Sequence, residues 1–195
     1  FWEVSEDISY FRHMSQHPWH EVPNRYQPEQ HTIDGIIEIP RGSKAKYEVD
    51  KPTGLLRLDR VMFSAFVYPI NYGFIPQTLG DDGDPLDILI LSEVAIQPLC
   101  IANARIIGYM QMKDSGKFDE KIIAVAEGDM SVAHVRSIDL LPENFKSELK
   151  HFFQQYKALM KREVIVDEFM GTEAACEVIR ASIERYQEQY GAAAK

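Results

Sequence analysis

Residues 81–91 read DDGDPLDILIL. The second half, Leu86–Leu91, is an apolar and β-branched run of strand length, bounded on its N-terminal side by turn residues. Gly83 and Pro85 make the preceding turn tight and stiff, because glycine tolerates unusual φ and proline fixes it. Asp82, Asp84 and Asp87 therefore have backbones held rigidly relative to one another at the entry to a strand. Four carboxylates within seven residues repel, and solvent, bound metal ions or a bare acidic turn would each answer that repulsion. If metals answer it, rigid oxygen ligands favour a hard divalent cation such as Mg²⁺ or Mn²⁺. A calcium-binding EF-hand loop is excluded: counted from Asp82, Asp87 falls where glycine is required.

Outward from this strand the chain is mostly β. IDGIIEIP (33–40) and KYEVD (46–50) alternate, and GLLRLDRV (54–61) follows a Pro-Thr-Gly turn. VYPINYGFI (67–75), IANARIIGYMQM (101–112) and IIAVA (122–126) are aromatic or β-branched, with the turn cluster KDSGKFDEK (113–121) between the last two. Short strands joined by turns predict a closed or partly closed barrel. The C-terminal part is helical. Over 142–160, Phe145, Leu149, Phe152, Phe153, Tyr156 and Leu159 form one stripe, with Pro142 near the start. A second helix is expected from Thr172 to about Tyr190, with Val178, Ile179, Ile183 and Tyr186 inward. The expected architecture is a β-barrel flanked by two C-terminal helices.

Residues 1–30 lack sustained periodicity and are punctuated by Pro18, Pro23 and Pro28. They read as an irregular arm lying on the body through Trp2, Tyr10, Phe11 and Trp19, with one domain over 31–195. His17 and His20 sit three apart but lack an acidic or cysteine partner at ligand spacing, which favours packing and surface roles. Cys100 and Cys176 have no metal-type spacing and read as two reduced, buried thiols. The expectation covers a cytoplasmic or an organellar protein, since Phe1 need not be the natural N-terminus.

The formal net charge of −9 argues against general nucleic-acid binding, and no apolar run reaches the roughly 20 residues of a membrane span. An acidic protein that binds a small polyanion needs cations or a local basic pocket. A second acidic pair, Asp114 and Asp119, flanks Gly116. If a barrel brings the two loops together, Asp82, Asp87, Asp114 and Asp119 could hold two or more metal ions; alone, the second pair is equally a solvated hairpin. Lys46 and Glu48 lie two apart on one strand face, Tyr68 and Tyr72 flank a Pro-Ile-Asn bend, and Arg60, Lys121, Tyr156 and Lys157 add donors. Metals with lysine and arginine are what a phosphoanhydride site requires. Two other classes compete: an OB-type barrel that binds nucleic acid or oligosaccharide through a basic, aromatic face, and a metal-storage protein.

D-G-D-P-L-D-I (82–88) resembles the signature of the family I soluble inorganic pyrophosphatases. The resemblance runs through I-E-I-P (37–40), K-Y-E-V-D (46–50), D-R (59–60), Y-P-I-N-Y-G-F-I (68–75), K-D-S-G-K-F-D-E-K (113–121) and H-F-F-Q-Q-Y-K (151–157), in family order. H-P-W-H (17–20) is similar to the leader of plant and protist members. The resemblance implies a five-stranded OB-type closed barrel with flanking helices, and Mg²⁺-dependent hydrolysis of pyrophosphate by a metal-activated water. It implies that Asp82, Asp87 and Asp119 hold two activating ions, with Asp87 bridging. Asp114 and Glu48 would serve one or two more ions that arrive with substrate, and Glu38 would be an outer-shell carboxylate. Asp84 would take the proton of the attacking water, and Tyr68 stands where a proton donor is placed in relatives. Lys46, Arg60, Tyr72, Tyr156 and Lys157 would grip phosphate, supported by Lys121. Mn²⁺ or Zn²⁺ is expected to substitute for Mg²⁺, and a homo-oligomer acting on a small substrate, without nucleic acid or membrane, is expected.

Overall fold

The computed structural model describes residues 17–114, 116–157 and 164–191, with the backbone alone of Asp114. Nine strands and two α-helices follow in order: β1 (Thr32–Ile39), β2 (Ala45–Val49), β3 (Leu56–Val61), β4 (Asn71–Phe74), β5 (Asp87–Leu91), β6 (Ile101–Asp114), β7 (Lys117–Phe118), β8 (Lys121–Ala126), α1 (Glu143–Gln155), β9 (Val164–Gly171) and α2 (Thr172–Tyr190). The fold is mainly β with two helices.

Five strands pair in a ring. β1 runs antiparallel to β4, β4 to β5, β8 to β6, and β6 back to β1, while β5 and β8 are parallel. The strands β7 and β9 extend β6, and β2 with β3 form a separate antiparallel hairpin. All eight residues of β1 are buried, although its sequence alternates. Its two buried carboxylates are bonded: the Asp34 carboxylate accepts from Asn103 at 2.9 Å and Glu38 accepts the Val49 N–H at 2.7 Å.

Two apolar clusters fill the body. One packs Leu149, Phe152 and Phe153 of α1 against Tyr68, Leu89 and Ile107. The other packs Ala175, Cys176 and Ile179 of α2 against Ile33, Ile88 and Ile122. Each such buried aliphatic side chain contributes about 1.5–3 kcal/mol. Trp19 lies in a third cluster with Tyr186, so this part of the arm lies on the body; Trp2, Tyr10, Phe11 and Leu159 lie outside the described residues. No helix among the described residues is long and apolar enough to cross a membrane.

Three expectations need correction. Only Asn71–Phe74 of the expected strand 67–75 joins the sheet, because the Tyr68 backbone instead donates to Ser43 O at 3.0 Å and accepts from Gly42 N at 2.8 Å. The strand β9 was not expected, although Val164, Ile165 and Val166 alternate buried and exposed. Cys176 is buried, but Cys100 is exposed; its N–H closes a turn onto Gln97 O just before β6.

Candidate active site

The acidic turn is built by its own carboxylates. Asp82 Oδ1 accepts the Asp84 N–H at 3.0 Å, and Gly80 N donates to Asp84 O at 2.7 Å. Gly83 takes φ of +90°, a conformation that favours glycine. The remaining repulsion is answered by cations from distant segments. Asp81 lies 3.5 Å from Arg185 and Asp84 lies 2.5 Å from Lys51. Asp87 is ion-paired with Lys121, its register partner on β8.

Lys121 also pairs with Asp119, which the short β6–β7 hairpin delivers beside β8. Lys121 is buried. Burial works to depress its pKa, but Asp119 and Asp87 outweigh that and hold it well above the ordinary lysine value. Asp87 is pushed up to about 6 by burial, against the pull of Lys121. Burial likewise pushes Glu38 up to about 8 and raises Asp82.

A cleft of about 480 Å³ gathers these groups. Asp82, Asp84, Asp87, Asp119, Glu38, Glu48, Lys46, Arg60, Tyr72 and Lys157 all line it. The hairpin supplies one wall, where Lys46 and Arg60 are directly opposed across β2 and β3. Asp59, to which the sequence assigns no role, lies 3.2 Å from each of them. Lys46 also pairs with Glu48. Trp19, Tyr47 and Lys51 line the cleft as well and were not anticipated as site residues. They come from the arm and from β2 with its following turn, far along the chain from the acidic turn.

Tyr68 and Tyr156 do not line the cleft, whereas Tyr72 does. Tyr68 and Tyr72, across the Pro-Ile-Asn bend, meet edge to face at 5.6 Å. Burial raises both phenols well above the ordinary value, so they hold their protons. Tyr156 stacks on Phe152 at 5.3 Å, and Lys157 Nζ stands 5.0 Å from its ring. The side chain of Asp114 lies outside the described residues. His17 and His20 lie in the arm: His17 Nε2 is 2.8 Å from Lys51 O, and His20 Nδ1 is 2.8 Å from the Tyr186 hydroxyl.

Among the described residues, no three carboxylate, histidine or cysteine side chains converge as a ready-made ion cage. The Lys121 ammonium stands between Asp87 and Asp119 instead. The donor set still fits a hard divalent cation. It consists of carboxylate oxygens on a rigid turn, several partly buried, whose ionised forms need positive charge nearby.

The model of the inorganic pyrophosphatase family matches residues 35–187. Soluble inorganic pyrophosphatase 2 of Chlamydomonas reinhardtii is 46% identical over 184 residues, covering 94% of this chain and 95% of that protein. The soluble inorganic pyrophosphatase of Oryza sativa subsp. japonica is 45% identical over 176 residues, covering 90% and 81%. The crystal structure of the inorganic pyrophosphatase from Thermus thermophilus superposes with a TM-score of 0.82 at 39% identity, covering 89% of this chain and 99% of that one. With its acidic turn and basic hairpin on one cleft, and likeness along nearly its whole length, the chain belongs to the inorganic pyrophosphatase family.

Proposed function

We propose that this cleft hydrolyses inorganic pyrophosphate to two phosphates with Mg²⁺, Asp84 taking the proton of the attacking water. The observation that carries the reading is the shared cleft: Asp82, Asp84, Asp87 and Asp119 line it together with Lys46, Arg60 and Lys157. Pyrophosphate is a compact polyanion, so carboxylates alone repel it and lysines alone leave the aspartates unexplained. Mg²⁺, or Mn²⁺ or Zn²⁺ in its place, supplies a Lewis acid that acidifies water and screens the substrate.

In this account Asp82, Asp87 and Asp119 would hold the activating ions. Asp114 and Glu48 would serve one or two more that come with the substrate, and Glu38 would be an outer-shell carboxylate. Lys46, Arg60, Tyr72, Tyr156 and Lys157 orient the two phosphoryl groups and stabilise the charge that grows on the leaving one. Lys121 supports them from behind the carboxylates. The water oxygen bonds to one phosphorus, its proton passes to Asp84, and the bridging P–O bond breaks. Tyr68, which stands where relatives place a proton donor, would serve the leaving group. We further read the five-strand ring as an OB-type closed barrel, and the exposed apolar groups Leu58 and Phe63 as area that a homo-oligomer would cover.

Phosphate release from pyrophosphate and from ATP, each with Mg²⁺, Ca²⁺ or EDTA, tests the reading. Release from pyrophosphate with Mg²⁺ alone is expected. No release under any of these conditions, or faster release from ATP, overturns it.

A further inference from the structure

Lys51 belongs to none of the roles above, yet it touches the centre of the acidic turn. Its ammonium lies 2.5 Å from Asp84 Oδ1 and donates to the Gly83 carbonyl at 3.1 Å. The Gly83 contact holds the ammonium against the turn backbone, and the Asp84 contact draws the carboxylate toward that anchored charge. The lysine is itself held. Its ammonium stands 5.6 Å from the centre of the Trp19 ring, and its carbonyl accepts from His17 Nε2 at 2.8 Å.

The arm that holds Lys51 also grips the approach to the acidic turn. The Trp19 indole donates to Thr78 O at 2.8 Å, and Gln77 N donates to Trp19 O at 2.9 Å. The fit against the 51–54 turn is tight, since a Cβ at Gly54 would lie 2.9 Å from Pro18 Cδ. Segment 17–20 thus joins the end of the hairpin to the start of the acidic turn.

We infer that Lys51, backed by Trp19, is a positioning residue that aims the Asp84 carboxylate into the cleft. A lysine that grips substrate would act on binding; Lys51 instead grips the protein's own turn at two points. Being half exposed, the pair adds little to global stability, so its loss misdirects a side chain without unfolding the protein. The inference rests on the pyrophosphatase reading, because it assumes that Asp84 takes part in turnover.

The test uses the full chain carrying Trp2→Phe, which leaves Trp19 as the only tryptophan, with Lys51→Met and Lys51→Arg made in it. Loss of aim predicts a fall in kcat of about tenfold for Lys51→Met. KM for pyrophosphate should stay within about twofold, and Lys51→Arg should recover most of the loss. Without metal or substrate, the Trp19 emission should change in Lys51→Met, because the cation leaves its ring face. Undiminished kcat in Lys51→Met, a raised KM with kcat kept, no recovery by Lys51→Arg, or unchanged Trp19 emission overturns the inference while the parent remains active. A parent that releases no phosphate from pyrophosphate overturns the functional reading and this inference with it.

Discussion

Asp87 and Lys121 are paired twice, as register partners on the parallel strands β5 and β8 and as a buried ion pair that also takes in Asp119. A buried charge that loses its partner is costly, and here one lysine serves two carboxylates. The pairing places positive charge where the functional account places cations.

Lys121→Met should therefore destabilise the metal-free protein by about 3–5 kcal/mol. Urea unfolding in EDTA measures this. Mg²⁺ should restore more stability to the variant than to the parent, because the freed carboxylates gain most from a cation. An unchanged midpoint in EDTA contradicts this view of the pair.

Arg60 and Lys157 approach the same cleft from the hairpin and from the end of α1. Arg60→Ala or Lys157→Ala should lower kcat/KM for pyrophosphate by about 10²–10³, the usual effect of removing a preorganised donor. Calorimetric titration with Mg²⁺ should show nearly unchanged affinity in both. A collapse of metal affinity instead would place these residues in the ion sites.

The arm introduces a pH dependence. Burial lowers the pKa of His20 below its ordinary 6.5, helped by His17 and opposed by Glu21. Below pH 6.5 the unfolded chain takes up a proton that the folded one resists, so stability falls with pH in that window and is complete above it. Thermal midpoints from pH 8 to 5 should decline more shallowly in His20→Asn than in the parent. Parallel slopes would remove His20 from the effect.

Two glycines separate packing from conformation. A Cβ at Gly73 would sit 1.9 Å from Ile36 O on the paired strand, so Gly73→Ala should cost about 3 kcal/mol by denaturant unfolding. Nothing lies within 4 Å of a Cβ at Gly83, whose φ is +90°. Gly83→Ala should then cost only about 1–2 kcal/mol, with the larger effect on turnover.

Regular elements with strong patterns were readable from the sequence. The segments 33–40, 46–50, 86–91 and 122–126 agree closely with β1, β2, β5 and β8, and the α2 stripe puts Ile179 and Tyr186 inside. What escaped was set by partners far away in the chain. Tyr68 looks extended but gives its backbone to the 42–43 loop. The β9 strand is stabilised by pairing with β6. At the site, the acidic turn and the cations Lys46, Arg60, Lys121 and Lys157 were visible as residue types, because rigid carboxylates and phosphate-binding cations have few uses together. Trp19, Lys51 and Asp59 were not, since each reaches the cleft through tertiary contacts.

Asp84→Asn tests the central claim most directly, because it removes one acceptor of a proton while keeping the shape of the turn. Phosphate release from pyrophosphate and Mg²⁺ titration should be measured on the same sample. The account predicts loss of most turnover, by about 10²–10⁴ for a general base, with the fold and Mg²⁺ affinity retained. Near-normal turnover would contradict it and take Asp84 out of the chemistry.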